Sequence, residues 1–338
     1  MSALVDQVAE IRRRGVSVVL VSSGAVASGR SEMRGVDFGR RLDPVEQRQL
    51  FSAVGQAKLI NRYYELFRDH NIPCGQVLTT KENFSTRRHY LNQQQCMEVM
   101  LGAGVIPIVN ENDTVSVTEL MFTDNDELSG LIATMMDMDA LVILSNIDGI
   151  YNGDPSDPAS EVIREIAPDE DITRYISSSK SSLGRGGMAT KNRIARRVAS
   201  EGIPVIIANG KRDGILVSLL DRDPSVPSTT FLPSPEPTSG VKKWIAHSEG
   251  FAKGEIHVNA EAAGRLLGPT RVSLLPVGAT EVRGDWERGD IVKVIAPGGA
   301  QIALGRAATD AAEARRTLGN HGARPLVHAD YLYIEENV

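Results

Sequence analysis

Ile106–Gly130 reads IPIVNENDTVSVTELMFTDNDELSG, and its polar clusters decide how the chain is organised. The apolar run Val105–Val109 predicts a buried strand that ends in Asn110, Glu111, Asn112 and Asp113. A second cluster, Asp124-Asn125-Asp126-Glu127, opens the apolar-periodic run Leu128–Met136, which predicts a helix over Glu127–Met136. Acidic and amide side chains at a strand's C-terminal end and at the next helix's start converge on one edge of an open α/β sheet, where ligands bind. A polar turn followed by an N-cap would account for Asp124 alone. Two such clusters are more than capping one helix requires, so a binding site is expected here.

The stretches before and after repeat the same alternation. Ser2–Arg14 places Leu4, Val5, Val8 and Ile11 on one helical face, with Gly15 suited to the position just past the helix. Val16–Val21 is a continuous apolar run of the kind buried on both faces of a parallel sheet. It ends in Ser22-Ser23-Gly24-Ala25, a small-residue turn that would let a ligand approach a helix N-terminus, or would serve equally as a tight connection. Gln47–Phe67 and Leu91–Leu101 read as helices, Gly75–Leu78 as a strand, and Ala140–Leu144 as another buried strand, followed by Asn146, Asp148, Gly149 and Tyr151. Ser177–Lys191 (SSSKSSLGRGGMATK) is a glycine- and serine-rich loop feeding a helix, Ala189–Ser200, with Lys180, Arg185 and Lys191 around it. That combination suits polyphosphate, although the spacing is not that of a P-loop. Pro204–Asn209 is a further strand. Alternating strands and helices predict a parallel sheet covered on both faces.

Phe231–Gly240 (FLPSPEPTSG) has three prolines and no periodicity, as an interdomain linker would. Beyond Lys253 the texture changes to short strands with closely spaced glycines, which predicts a small β-rich barrel. The expected division is therefore 1–240 and 251–338.

Composition narrows the function classes. The 338 residues are 41% apolar and 24% charged, as in an ordinary globular protein long enough for two domains. The net charge of −6 gives no pull toward nucleic acid or anionic membrane. Residues 245–338 carry 12 Asp/Glu against 10 Lys/Arg, so the basic footprint of a nucleic-acid binder is missing there too. Cys74 and Cys96 fit no metal or disulfide spacing. No apolar run reaches membrane-spanning length, and a signal-peptide apolar region is absent from the start. A cytoplasmic protein in a reducing compartment is expected.

With these segments assembled, the chain resembles the glutamate 5-kinase family of the amino-acid kinase superfamily, with a C-terminal PUA domain. The resemblance rests on VLVSSGAVASG (19–29), AVGQ (53–56), IPIVNEND (106–113), FTDNDELSGLIA (122–133), LSNIDGIY (144–151) and GRGGMATK (184–191). It implies a three-layer α/β/α parallel-sheet kinase fold over 1–240 and a PUA-like barrel over 251–338. It also implies ATP-dependent phosphorylation of the L-glutamate γ-carboxylate with Mg²⁺, the first step of proline biosynthesis. Feedback inhibition by L-proline, a homo-oligomer, partnership with a glutamyl-phosphate reductase and cytoplasmic location come with it. By motif match, Ser23, Asp113 and Asn125 are the expected glutamate positions. Ser145, Asn146 and the run Arg185, Gly186, Gly187, Met188, Ala189, Thr190 and Lys191 are the expected ATP segments. Lys191 is similar to the lysine that supports the transferring phosphoryl group, and Asp126 to the aspartate that organises the catalytic lysines. No metal ligands are assigned.

Two departures stand out. The family normally opens with a strand, a lysine and a glycine-containing loop, whereas this chain begins at the following helix. On the resemblance, either the true start lies upstream and restores that segment, or the chain lacks one central strand and one phosphate-facing lysine, whose place Lys180 or Lys211 would then have to fill. Ser145-Asn146 also stands where many relatives have Thr-Asp. The competing expectations are a catalytically impaired kinase-fold binder of glutamate or proline, another acyl-phosphate-forming kinase, and an RNA-binding protein acting through its PUA-like part.

Overall fold

A computed structural model describes residues 1–39, 41–85, 87–115, 122, 125–172, 175, 187–235, 244–245, 251–322 and 324–334. These fall into two compact units: Met1–Asn83 with Leu91–Pro237, and Phe84–Tyr90 with Thr238–Val338.

In the first unit, α1 (Ser2–Arg13) is followed by Gly15 at φ +84°, the left-handed conformation expected of a residue just past a helix. Helix α2 spans Ala25–Glu32 and α3 Pro44–Arg68. A capping box starts α3: Asp43 Oδ1 accepts the Glu46 N–H at 2.8 Å, and Glu46 Oε2 accepts that of Asp43 at 2.9 Å, with Pro44 at the first helical position. Helices α4 (Glu82–Ser85) and α5 (Arg87–Gly102) follow in the chain.

Strands β1 (Leu20–Val21), β2 (Cys74–Thr79) and β3 (Ile106–Glu111) form a parallel sheet ordered β1-β3-β2. All six residues of β3 are buried, which is why an apolar run rather than an alternating pattern encodes it. The core on one face joins Val5 and Val8 of α1, Leu66 and Phe67 of α3, and Ile106 and Ile108 of β3.

A second sheet contains β4 (Leu141–Ser145), β5 (Glu165–Ile166), β6 (Val205–Asn209) and β7 (Ser228–Phe231), ordered β4-β6-β7-β5. It packs on α6 (Asn125–Met135) and α7 (Met188–Ser200) through Ala133, Ile143, Ile194, Ala195, Val198 and Ile207. Helix α8 (Ile215–Leu220) leads toward β7.

Two features differ from expectation. Strand β7 runs antiparallel to β6 rather than parallel, the two being joined through the six-residue α8 and a turn. The apolar run 16–21 pairs only over Leu20–Val21, and Val16 is exposed. Among the described residues β1 and β4 each bond a neighbour along one edge only, and their residues are half-buried apart from Ile143, which is buried.

The second unit is β-rich, as its sequence texture predicts. Its sheet is ordered β12-β11-β10-β8-β9, from β8 (Gly254–Val258), β9 (Ala279–Gly284), β10 (Ile291–Ile295), β11 (Gln301–Ala307) and β12 (Val327–Ile334). Two short capped helices, α9 (Ala260–Leu266) and α10 (Ala311–Thr317), complete a core that includes Trp286, Val292, Ile302 and Leu326. The segment Phe84–Tyr90 belongs to this unit, where the Trp244 indole N–H donates to the Phe84 carbonyl at 2.9 Å.

Candidate functional site

The C-terminal ends of β1 and β3 and the N-terminal ends of α6 and α7 converge. Asn125 opens α6, and its side-chain amide donates to the Ser22 carbonyl at 2.8 Å and approaches Asn110 Oδ1 at 3.4 Å. It thereby ties the Ser22–Gly24 turn to the end of β3. Gly24 sits at φ +100° as the residue before α2, and Ser23 beside it is exposed. That backbone conformation is why glycine is needed at position 24.

Asp126 and Glu127 lie in the first turn of α6, where negative charge complements the helix dipole. Lys191 lies in the first turn of α7, where its charge opposes the dipole, and its ammonium pairs with Asp126 across the two helix starts. Both side chains are largely buried. Gly187 caps α7 in an extended conformation with no side-chain cap among the described residues, and its carbonyl accepts the N–H groups of Thr190 and Lys191. Met188, Ala189 and Thr190 form the same first turn. Arg185 and Gly186 lie outside the described residues, as do Thr123 and Asp124.

Deeper in the first sheet, Glu111 and Asp113 are 5% and 6% exposed. One guanidinium serves both: Arg48 Nε donates to Asp113 Oδ1 at 2.6 Å, and Arg48 Nη2 to Glu111 Oε2 at 2.9 Å. Ser52 Oγ donates to Asp113 Oδ2 at 3.3 Å, and Gln56 Nε2 to the Glu111 carbonyl at 3.2 Å. The Phe122 N–H donates to Glu111 Oε1 at 3.0 Å. Burial pushes the Glu111 carboxyl above its ordinary range and the neighbouring Asp113 adds to that, while the Phe122 N–H, Arg48 and Lys81 oppose it. Lys81 itself pairs with Glu127 at 3.5 Å.

Chemically, this is an edge with buried negative charge on one side and a lysine at two helix starts on the other. It can bind an ammonium and stabilise a phosphoryl group. The Amino acid kinase family matches residues 1–209 and the PUA domain matches residues 254–328. The glutamate 5-kinase of Bacteroides thetaiotaomicron is 66% identical over 335 residues, 99% of this chain and 92% of that protein. The chain belongs to the amino acid kinase family, and within it to the glutamate 5-kinases. Those of Chlorobaculum tepidum and Trichlorobacter lovleyi are 44% and 38% identical, with the chain spanning 91% and 89% of their lengths.

Within this glutamate 5-kinase fold, Ser145 and Asn146 stand on the other sheet's edge. Ser145 ends β4 and pairs with Asn209 of β6, and its carbonyl accepts the Gly210 N–H at 2.9 Å. Three residues past Ser145, Asp148 takes two hydrogen bonds from Arg212, each 2.7 Å, and one from the Asn209 amide at 2.9 Å. The Arg212 bonds hold the Asp148 carboxyl below its ordinary range, with burial acting against them.

Arg48, Ser52, Lys81 and Arg212 were not among the expected site residues, and Glu111 was expected only as part of the cluster 110–113, without a role of its own. A signal for the first two exists in the sequence: Arg48, Ser52 and Gln56 recur every four residues, a polar stripe on one face of α3. Ser52 is fully buried and Gln56 nearly so, so that stripe faces the protein interior and not solvent. The AVGQ motif also has a packing role. A Cβ at Gly55 would lie 1.7 Å from the Ala25 carbonyl oxygen, and one at Gly29 1.7 Å from that of Phe51. Glycines in both helices let α2 and α3 touch backbone to backbone.

Proposed function

We propose that the convergent edge binds L-glutamate and the phosphates of ATP, and that the chain transfers the γ-phosphoryl group to the glutamate γ-carboxylate. The products are L-glutamyl 5-phosphate and ADP, and the reaction opens proline biosynthesis. The observation that carries this reading is the Lys191–Asp126 pair at the facing starts of α6 and α7, beside Asn125 and the buried Glu111–Asp113 pair.

Phosphoryl transfer asks a protein chiefly for positioning and for positive charge where negative charge accumulates. Asp113 and Asn125 hold the amino end of glutamate, with the exposed Ser23 hydroxyl beside them. The γ-carboxylate, left free, attacks the γ-phosphorus. Lys191 neutralises the equatorial oxygens as the bond to the β-phosphate oxygen lengthens, and Asp126 keeps its ammonium aimed there. N–H groups at the start of α7, with Gly187 before them and Arg185 and Gly186 preceding in sequence, cradle the phosphates. Ser145 and Asn146, at the end of β4, line the nucleotide side.

Among the described residues, the acidic side chains of this edge are paired with cations: Asp126 with Lys191, Asp113 and Glu111 with Arg48, and Glu127 with Lys81. No group of three metal-ligating residues occurs among the described residues. That donor set suits Mg²⁺ held by the phosphates of ATP itself, where it neutralises their charge. L-proline as feedback inhibitor, a homo-oligomer, a glutamyl-phosphate reductase as partner and cytoplasmic location belong to the same reading. Among the described residues no helix is long and apolar enough to cross a membrane.

The test is ADP formation from ATP with L-glutamate, L-aspartate or N-acetylglutamate as acceptor. Turnover only with L-glutamate is expected, and equal turnover with either alternative would overturn the substrate assignment.

A further inference from the structure

We propose that Arg48 is a positioning residue for glutamate: it holds one oxygen of Asp113 and so presents the other to the substrate's ammonium. This rests on Asp113 receiving that ammonium.

The hydrogen bonds around Asp113 divide unequally. Oδ1 takes Arg48 Nε at 2.6 Å and lies within reach of Nη2. Among the described residues, Oδ2 has only the Ser52 hydroxyl at 3.3 Å, the long end of an O–H···O contact. A carboxylate oxygen accepts about two hydrogen bonds, so Oδ2 keeps capacity for an ammonium donor. Arg48 is itself fixed at both ends. Its backbone lies on the 25-residue helix α3, and its Nη2 also donates to Glu111 Oε2 at 2.9 Å. Glu111 is in turn fixed by the Phe122 N–H and through its carbonyl by Gln56.

Charge points the same way. Two carboxylates share one guanidinium, which leaves a single negative charge for a single ammonium to complete. The charged groups that face Glu111 are Asp113 from the same loop, Arg48 from α3 and Lys81 from the end of β2, the last also paired with Glu127 of α6. A guanidinium can span both acids because its nitrogens diverge in a fixed plane, which a lysine ammonium cannot reproduce.

Steady-state kinetics of the full chain at several pH values, with glutamate and ATP varied separately, tests this. Arg48→Ala is expected to raise the glutamate KM about tenfold or more while kcat and the ATP KM stay within about threefold, the pattern of lost ground-state binding. Arg48→Lys recovers part of the loss and serves as the folded variant where the alanine form does not fold. Without Arg48, Glu111 loses a cation that favours its ionised form. It then takes up a proton more readily, which removes a negative charge beside the substrate's ammonium, so in Arg48→Ala the glutamate KM rises as pH falls. Adding Glu111→Gln removes that pH dependence. Titration calorimetry with L-glutamate reads the same affinity without turnover. An unchanged glutamate affinity in Arg48→Ala would overturn the proposal. So would a loss that is equal at every pH with and without Glu111→Gln, since only scaffolding would then be affected. Asp113→Asn separates the two levels. If it raises the glutamate KM while Arg48→Ala does not, only the role of Arg48 falls. If it leaves that KM unchanged, the placement of the ammonium on Asp113 falls as well.

Discussion

At the end of β3, two nearly buried carboxylates share one guanidinium, whereas past the ends of β4 and β6 one carboxylate meets an arginine whose side chain is 45% exposed. The first arrangement is costly. Ionised groups taken out of water are tolerated only with partners on most of their oxygens, and Glu111 and Asp113 have them from α3, the backbone and Ser52. The second costs little, because Arg212 remains solvated. An amino acid of a few heavy atoms needs dense, desolvated charge to be selected. A nucleotide brings its own large surface and charge, and an open edge accommodates it.

If this contrast is right, the largest effect lies where the two sides meet. Lys191→Ala is expected to lower kcat by about 100- to 1000-fold, as for loss of one preorganised charge-stabilising group, and to change the glutamate KM far less. An unchanged kcat, measured as ADP release at saturating substrates, would leave the Lys191–Asp126 pair as a structural contact only.

Next come the buried acid and the amide. Asp113→Ala and Asn125→Ala are each expected to raise the glutamate KM by about 10- to 100-fold, the equivalent of about 1.4–2.8 kcal/mol, with the ATP KM nearly constant. A rise confined to the ATP KM would interchange the two edges. Gly55→Ala affects the same side through packing. With a carbonyl 1.7 Å from the new methyl group, α2 and α3 must separate, and a loss of about 1–3 kcal/mol by urea unfolding is expected. Unaltered stability would mean that the two helices can slide apart freely.

Much of this was legible before any coordinates. The buried strand β3 announced itself as an unbroken apolar run, and the clusters 110–113 and 124–127 announced what its end displays, because both signals are local. Asn125, Asp126, Asp113 and Lys191 do come to one edge. What sequence order hides is partnership over distance. Arg48 reaches acids 63 and 65 positions away, and nothing in the spacing of charges names that pair. Its only trace is the four-residue recurrence of Arg48, Ser52 and Gln56. The run 16–21 erred the other way: its composition suits a strand buried on both faces, but only Leu20 and Val21 pair and both are half-buried, because pairing and burial depend on neighbours and not on the strand's own residues.

The smallest expected effect concerns stability against pH, and here the two edges should differ in sign. Glu111 has its carboxyl raised above 4.5 in the folded chain, so its ionised form is disfavoured there. Its contribution is fully present below the unfolded value and is lost as pH rises through the folded one. Asp148 has its carboxyl lowered below 3.8, so its contribution is present above that value and is lost as pH falls through the folded one. Relative to Glu111→Gln, the parent chain should therefore lose stability as pH climbs from about 4.5. Relative to Asp148→Asn, it should lose stability only on strong acidification. The Asp148–Arg212 pair is partly solvated, so Arg212→Ala should cost less than about 1 kcal/mol near neutrality. Urea unfolding of the three variants and the parent across pH 3–8 would measure both slopes. Slopes of the same sign would mean that Arg48 and Lys81 outweigh the burial of Glu111, and the two edges would then handle charge alike.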